Sequence, residues 1–211
     1  ALSQVQELLG TIRWKDGSET AGAIAREVKN TQQADLTSRT GAKLRILLSG
    51  AISGNAVLQA AAQPSRFSKP LISKTNAGGG YGLHVDNAFM SLGDAHIRTD
   101  LSFTLFLSPK DTYVGGELSI EHAGQSIDVK LEAGDLVLYP STCLHQVTPV
   151  TSGTRLACVG WIESNIARAD DRETLFDLAN LKADLAAHQD PQSPAMLMLS
   201  KTIANLKRRF S

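Results

Sequence analysis

His84-Val85-Asp86 sets an imidazole and a carboxylate two residues apart. Alternate side chains of an extended strand share a face, so this spacing aims both groups at one spot. One more His would complete a 2-His-1-carboxylate set, a facial arrangement that binds Fe(II) and leaves the other coordination positions open. The remaining histidines are His96, His122, His145 and His188. His188-Gln189-Asp190 repeats the spacing, but it follows a helical run and precedes Pro191, which reads as a helix end. His96 starts a strand, and His122 adjoins the turn Ala123-Gly124, where exposure is expected. His145 comes just after a buried strand and the segment 140–144, and is the expected third ligand.

Arg155 carries a second signal, because it shares a strand face with Ala157, Val159 and Trp161. A guanidinium among apolar neighbours is costly without an anion. Its planar fork matches a carboxylate through two parallel hydrogen bonds, so an acidic ligand inside the fold is expected. A salt bridge to an internal Asp or Glu is the structural alternative. Trp161, at the far end of the same strand, reads as core. Cys143 and Cys158 form no CxxC and are too few for a disulfide framework, so two reduced, half-buried thiols are expected. Cys143 lies two residues before His145, yet a single thiolate without partners argues against a structural zinc site.

The elements that must hold these groups follow from hydrophobic period. Val5, Leu8, Leu9 and Ile12 mark a helix within residues 1–15, before a turn at Asp16-Gly17. Further helices are expected over 19–29, 36–48 and 55–62, with a break at 50–54 and a stop at Pro64. From Pro70 the chain turns to short strands punctuated by glycine. Residues 101–107 alternate, as do Ile127, Val129 and Leu131, while 136–139 is a continuous apolar strand stopped by Pro140 and 154–162 is the last long one. Strands at this spacing suit a sandwich or jelly roll. Gly78-Gly79-Gly80 is followed by a strand and no Lys-Ser or Lys-Thr, so it reads as a flexible entry to the His84 strand rather than a phosphate loop. Two helices close the chain, one bearing Leu175, Phe176, Leu178, Leu181 and Leu185, the other spanning 194–209. Three regions result: helical 1–68, a β core over 69–164, and a helical extension over 165–211. The class is α+β, a double-stranded β-helix flanked by terminal helices.

The 211 residues hold 21 basic and 21 acidic side chains, so no global field draws nucleic acid or an anionic membrane. No apolar run approaches a membrane span, and residues 1–10 lack the basic and apolar regions of a secretory signal. A cytoplasmic protein is expected; the C-terminal leucines read as packing against the sheets, with a homodimer contact as the second reading.

Five motifs in order resemble the bacterial PKHD-type hydroxylases, a prolyl-4-hydroxylase-like branch of the Fe(II)/2-oxoglutarate-dependent dioxygenases. They are Tyr81-Gly82-Leu83-His84-Val85-Asp86-Asn87-Ala88, Arg98-Thr99-Asp100-Leu101-Ser102, Gly115-Gly116-Glu117-Leu118, Leu144-His145-Gln146-Val147-Thr148-Pro149-Val150 and Gly153-Thr154-Arg155. The resemblance implies Fe(II) held by His84, Asp86 and His145, with Arg155 gripping the distal carboxylate of 2-oxoglutarate, and ascorbate as a further small-molecule cofactor. It also implies hydroxylation of a C–H bond, on a prolyl or lysyl residue or a small molecule, with release of succinate and carbon dioxide. Asn87 and Tyr81 would line the pocket. Relatives commonly carry a Tyr about nine residues before the first ligand, where this chain has Lys74-Thr75-Asn76. Lys74 and Thr75 are therefore candidate replacement donors. Competing readings are a cupin-like metalloenzyme, which would recruit His96 or His122, and a non-catalytic iron or 2-oxoglutarate sensor.

Overall fold

The computed structural model describes residues 2–17 and 28–211. Most of the helix expected over 19–29 lies outside them, and its last residue instead opens a strand. Helix α1 (Leu2–Thr11) buries Val5 and Leu9. Helix α2 (Arg39–Ser53) starts where the Ser38 hydroxyl accepts the Gly41 N–H at 3.0 Å, a cap that contributes about 1 kcal/mol. It runs through Gly50, where a break was expected. Gly50 costs about 1 kcal/mol relative to Ala. Leu44, Leu48 and Ile52 share a face, and each buried aliphatic returns about 1.5–3 kcal/mol, so the helix continues to Gly54. Asn55 caps helix α3 (Ala56–Ala62).

Among the described residues fifteen strands follow the expected order, with extra ones near the start. The large sheet runs β1 (Trp14–Asp16), β3 (Gln32–Ala34), β5 (Leu71–Asn76), β15 (Val150–Ser164), β9 (Leu101–Phe106) and β13 (Leu136–Pro140). Both β4 (Pro64–Phe67) and β10 (Tyr113–Gly115) also pair with β15. The smaller sheet runs β12 (Gln125–Val129), β11 (Leu118–His122), β14 (His145–Val147), β6 (Gly80–His84) and β2 (Lys29–Asn30). A hairpin of β7 (Phe89–Leu92) and β8 (Ala95–Arg98) stands apart. The strand pairings among the described residues are antiparallel, and with the flanking helices they make an α+β jelly roll.

The two faces of the large sheet do different work. Its outer face supplies Ile72, Leu101, Phe103, Leu105, Cys158 and Ile162, which pack with Leu44, Leu48 and Ile52 of α2. Its inner face carries Thr75, Arg155, Ser102 and Thr104 towards the smaller sheet. Strand β9 keeps the expected alternation, yet all six residues are buried, because Ser102 and Thr104 face a pocket. Helix α4 (Ala169–Ala186) packs on α3 and on α5 (Pro194–Phe210). Gly78-Gly79-Gly80 is a pinned turn rather than a loose entry. The Gly78 N–H donates to Val150 O at 2.8 Å, Gly79 O accepts from the Val150 N–H at 2.9 Å, and Gly78 takes the left-handed φ of +83°. Among the described residues no single helix is long and apolar enough to cross a membrane.

Candidate metal centre and cosubstrate pocket

Strand pairing brings the two histidines together, since β14 and β6 place His145 directly opposite His84. Strand β6 ends at His84, and Asp86 follows in the extended segment beyond it. Candidate ligand atoms of His84, Asp86 and His145 all lie within 4.8 Å of one another, and this is the one such cluster found among the described residues. His145 Nε2 is 3.7 Å from Asp86 Oδ2. His96 and His122 are exposed and stay outside it, which removes the additional ligand that a cupin-like centre would need.

Each ligand is oriented by a second contact. His84 Nδ1 lies 2.7 Å from Gly82 O and His145 Nδ1 3.1 Å from Cys143 O. With those nitrogens donating, Nε2 of each ring is left free to bind a metal. Ser102 Oγ donates to Asp86 Oδ2 at 2.6 Å and also meets Ser141 Oγ at 2.7 Å. The Tyr81 ring stacks on His84 with centroids 3.7 Å apart, and Tyr139 meets His145 edge-on at 5.2 Å. Burial, and then the neighbouring His145, hold the His84 imidazole well below its usual pKa, so it is the neutral form that a metal requires. Burial followed by Asp86 pushes the Tyr81 phenol up to about 12, keeping it protonated.

Arg155 lies deeper in the same pocket and is only 2% exposed. Its Nε and Nη2 have no hydrogen-bond partner, and the guanidinium sits 5.4 Å from the Phe106 ring centroid. Among the described residues no internal salt bridge is found for it, so the alternative to an acidic ligand is not realised there. Burial lowers its pKa, partly opposed by Tyr113 and Tyr139. Thr75 pairs with Arg155 in the β5–β15 register, is 1% exposed, and has an equally unpartnered hydroxyl. The buried Tyr113 hydroxyl also lacks a partner and lies where the Arg155 charge acts on it. Three buried sets of donors converging without an acceptor fit a carboxylate.

Of the two candidate replacement donors, Thr75 faces this pocket and Lys74 does not. Lys74 takes the opposite face, with Nζ 5.3 Å from the Trp14 ring centroid. Asn87 lines the pocket as expected. Trp161 is a correction: it forms part of the pocket wall instead of the core, and its Nε1 is buried without a partner. Ser102, Ser141 and Tyr113 were not anticipated, since which of them reach the site depends on how strands distant in sequence pair. Cys143 and Cys158 are free and buried, and Cys143 Sγ contacts His122 Nδ1 at 3.7 Å.

Residues 70–163 match the family model of the 2OG-Fe(II) oxygenase superfamily. The PKHD-type hydroxylase of Hyphomonas neptunium is 55% identical over 210 residues, covering 100% of this chain and 94% of that one. A PKHD-type hydroxylase of Synechococcus elongatus is 46% identical with the same coverage. Among solved structures, a prolyl hydroxylase from Trichoplax adhaerens, in complex with a hypoxia inducible factor peptide fragment, superposes with a TM-score of 0.55. It is 19% identical, with 80% of this chain and 78% of that chain covered, which bears on the fold. The fold and site thus define an Fe(II)- and 2-oxoglutarate-dependent dioxygenase. Within that class the chain belongs to the PKHD-type hydroxylases.

Proposed function

We propose that His84, Asp86 and His145 hold the Fe(II), and that Arg155, Thr75 and Tyr113 grip the distal carboxylate of 2-oxoglutarate. The observation that carries this reading is the buried Arg155, with two donor nitrogens unpartnered in the pocket that also holds the triad. Bound Fe(II) and 2-oxoglutarate supply oxidising chemistry in which decarboxylation to succinate and carbon dioxide is coupled to hydroxylation of a C–H bond. The chain's own residues position and shield. Ser102 keeps Asp86 aimed, and the Gly82 and Cys143 carbonyls fix the two imidazoles. Tyr81 and Tyr139 cover the rings from water. Lys130 braces the Tyr113 segment by donating to Tyr113 O at 2.9 Å and Gly115 O at 3.1 Å. No side chain is needed as a general base.

The substrate of this reading is a peptidyl residue or small molecule admitted beside the metal. Two unpaired buried thiols suit the reducing cytoplasm, and a homodimer through the C-terminal helices completes the reading. Succinate release with Fe(II) and 2-oxoglutarate, compared between the wild type and Arg155→Ala, tests it. Absence of 2-oxoglutarate binding by the iron-loaded wild type would overturn it.

A further inference from the structure

Ser102 and Ser141 are 2% and 3% exposed, and their hydroxyls meet at 2.7 Å. Which of them donates is fixed by the metal set. Asp86 as a metal ligand is a carboxylate and can only accept, so the single hydroxyl proton of Ser102 is committed to Asp86 Oδ2 at 2.6 Å. The proton between the two serines must therefore come from Ser141, and the hydrogen bonds run in one direction, from Ser141 to Ser102 to Asp86. Successive bonds of this kind polarise one another, and neither buried hydroxyl can exchange its partner for solvent.

Ser141 also stands on the segment that delivers the second histidine. Pro140 ends β13 opposite Leu101, the Ser141 N–H donates to Asp100 O at 3.2 Å, and the Cys143 N–H closes a turn on Pro140 O at 3.1 Å. Cys143 O then orients the His145 ring, whose Nε2 lies 3.7 Å from the same Asp86 Oδ2 that Ser102 holds. The contacts close a circuit: the chain runs from Ser141 to His145, His145 faces Asp86, and two hydrogen bonds lead back from Asp86 to Ser141. The Ser141 hydroxyl is thus tied to two of the three metal ligands.

We propose, resting on the metal-centre reading above, that Ser141 is a positioning residue that acts through Ser102: its hydroxyl sets the direction in which Ser102 donates to Asp86, and thereby the spacing of Asp86 from His145. Without that hydroxyl Ser102 Oγ keeps its proton but loses the contact that holds the proton towards Asp86. A neutral buried hydrogen bond corresponds to about a three- to tenfold change in an equilibrium constant, and metal affinity should fall by that factor when the Ser141 hydroxyl is removed.

A double-mutant cycle on the full chain tests this, with Mn(II) affinity read from the electron paramagnetic resonance signal of the free ion and ligand geometry from the visible d–d bands of the Co(II)-loaded protein. Ser141→Ala should weaken Mn(II) binding about three- to tenfold when Ser102 is present, and by less than about 1.5-fold in the Ser102→Ala background, where no relay is left to break. Ser141→Ala and Ser102→Ala should also shift the Co(II) bands in the same direction, which a role confined to packing would not do. Ser141→Cys, a weaker donor of similar shape, should fall between the wild type and Ser141→Ala, and it takes the place of the alanine variant in the cycle if that variant does not fold. Equal losses in both backgrounds, or a Mn(II) affinity unchanged by Ser141→Ala, overturn the proposal. A wild type that binds no Mn(II) overturns the metal-centre reading and the relay with it, so the first titration tells the two failures apart.

Discussion

Replacing Arg155 by Met should move stability and cosubstrate binding in opposite directions. The guanidinium is 2% exposed, and its Nε and Nη2 are unpartnered in the protein alone. Replacing an uncompensated buried charge with an apolar side chain of similar length is worth about 1–4 kcal/mol of stability. Loss of the contact over Phe106 at 5.4 Å takes back about 0.5–2 kcal/mol. The net gain of roughly 1–2 kcal/mol corresponds to a rise of about 2–8 °C in Tm for a domain of this size. Binding goes the other way, since a desolvated carboxylate deprived of its charged partner loses about 3–5 kcal/mol, a weakening of 2-oxoglutarate binding by two to three and a half powers of ten. Calorimetric titration of Mn(II)-loaded protein and thermal melts with and without 2-oxoglutarate measure both. The wild type should melt below the variant without cosubstrate and above it at saturation. A variant that binds 2-oxoglutarate within fivefold of wild type, or whose ligand-free Tm falls by several degrees, would show that Arg155 is not an uncompensated cosubstrate anchor.

Other perturbations read separate parts of the site. Ser102→Ala removes the 2.6 Å hydrogen bond to Asp86 and should weaken metal affinity about 10- to 100-fold in a Mn(II) titration; a change under threefold would show that the backbone alone aims Asp86. Thr75→Val keeps shape and deletes a buried donor, so 2-oxoglutarate affinity should drop about tenfold with the fold intact, whereas Lys74→Met should leave it within twofold. Gly116 has φ +70°, and an added Cβ would lie 3.1 Å from Arg155 Cδ and 2.9 Å from Val150 Cγ2. Gly116→Ala should therefore cost about 1–2 kcal/mol of stability and weaken 2-oxoglutarate more than metal, checked by denaturant melts and paired titrations. Burial pushes the Cys158 thiol up to about 12, so at pH 8 it is neutral and should resist iodoacetamide until the protein unfolds, as mass spectrometry of labelled peptides would report.

That His84 and Asp86 point to one spot, and that Arg155 turns inward, follow from local rules. A two-residue spacing on an extended segment aligns His84 with Asp86, and Arg155 shares its strand face with small and apolar residues, while His145 was chosen from the remaining histidines by its place after a buried strand. What stayed hidden depends on register. Lys74 and Thr75 are neighbours, and only the pairing of Thr75 with Arg155 decides which enters the pocket. Ser102 and Thr104 look like the exposed half of an amphipathic strand until the smaller sheet covers them. Strands β1 and β3 are three residues each, too short for a period to emerge, and they join the large sheet from outside the expected core of 69–164. Gly50 misled as a helix break because the burial of Leu48 and Ile52 on either side outweighs its propensity. Trp161 was read as core at the far end of the Arg155 strand, and the pocket it faces is made by residues distant in sequence.

In the proposed reading one site holds iron through His84, Asp86 and His145 and draws 2-oxoglutarate to Arg155. Succinate formation per protein chain, with Fe(II), 2-oxoglutarate and oxygen, compared between the wild type and His145→Ala, tests it most directly. Iron-dependent succinate is expected in the wild type and none above background in the variant, with the variant still folded by circular dichroism. Succinate formed equally by both proteins would contradict it.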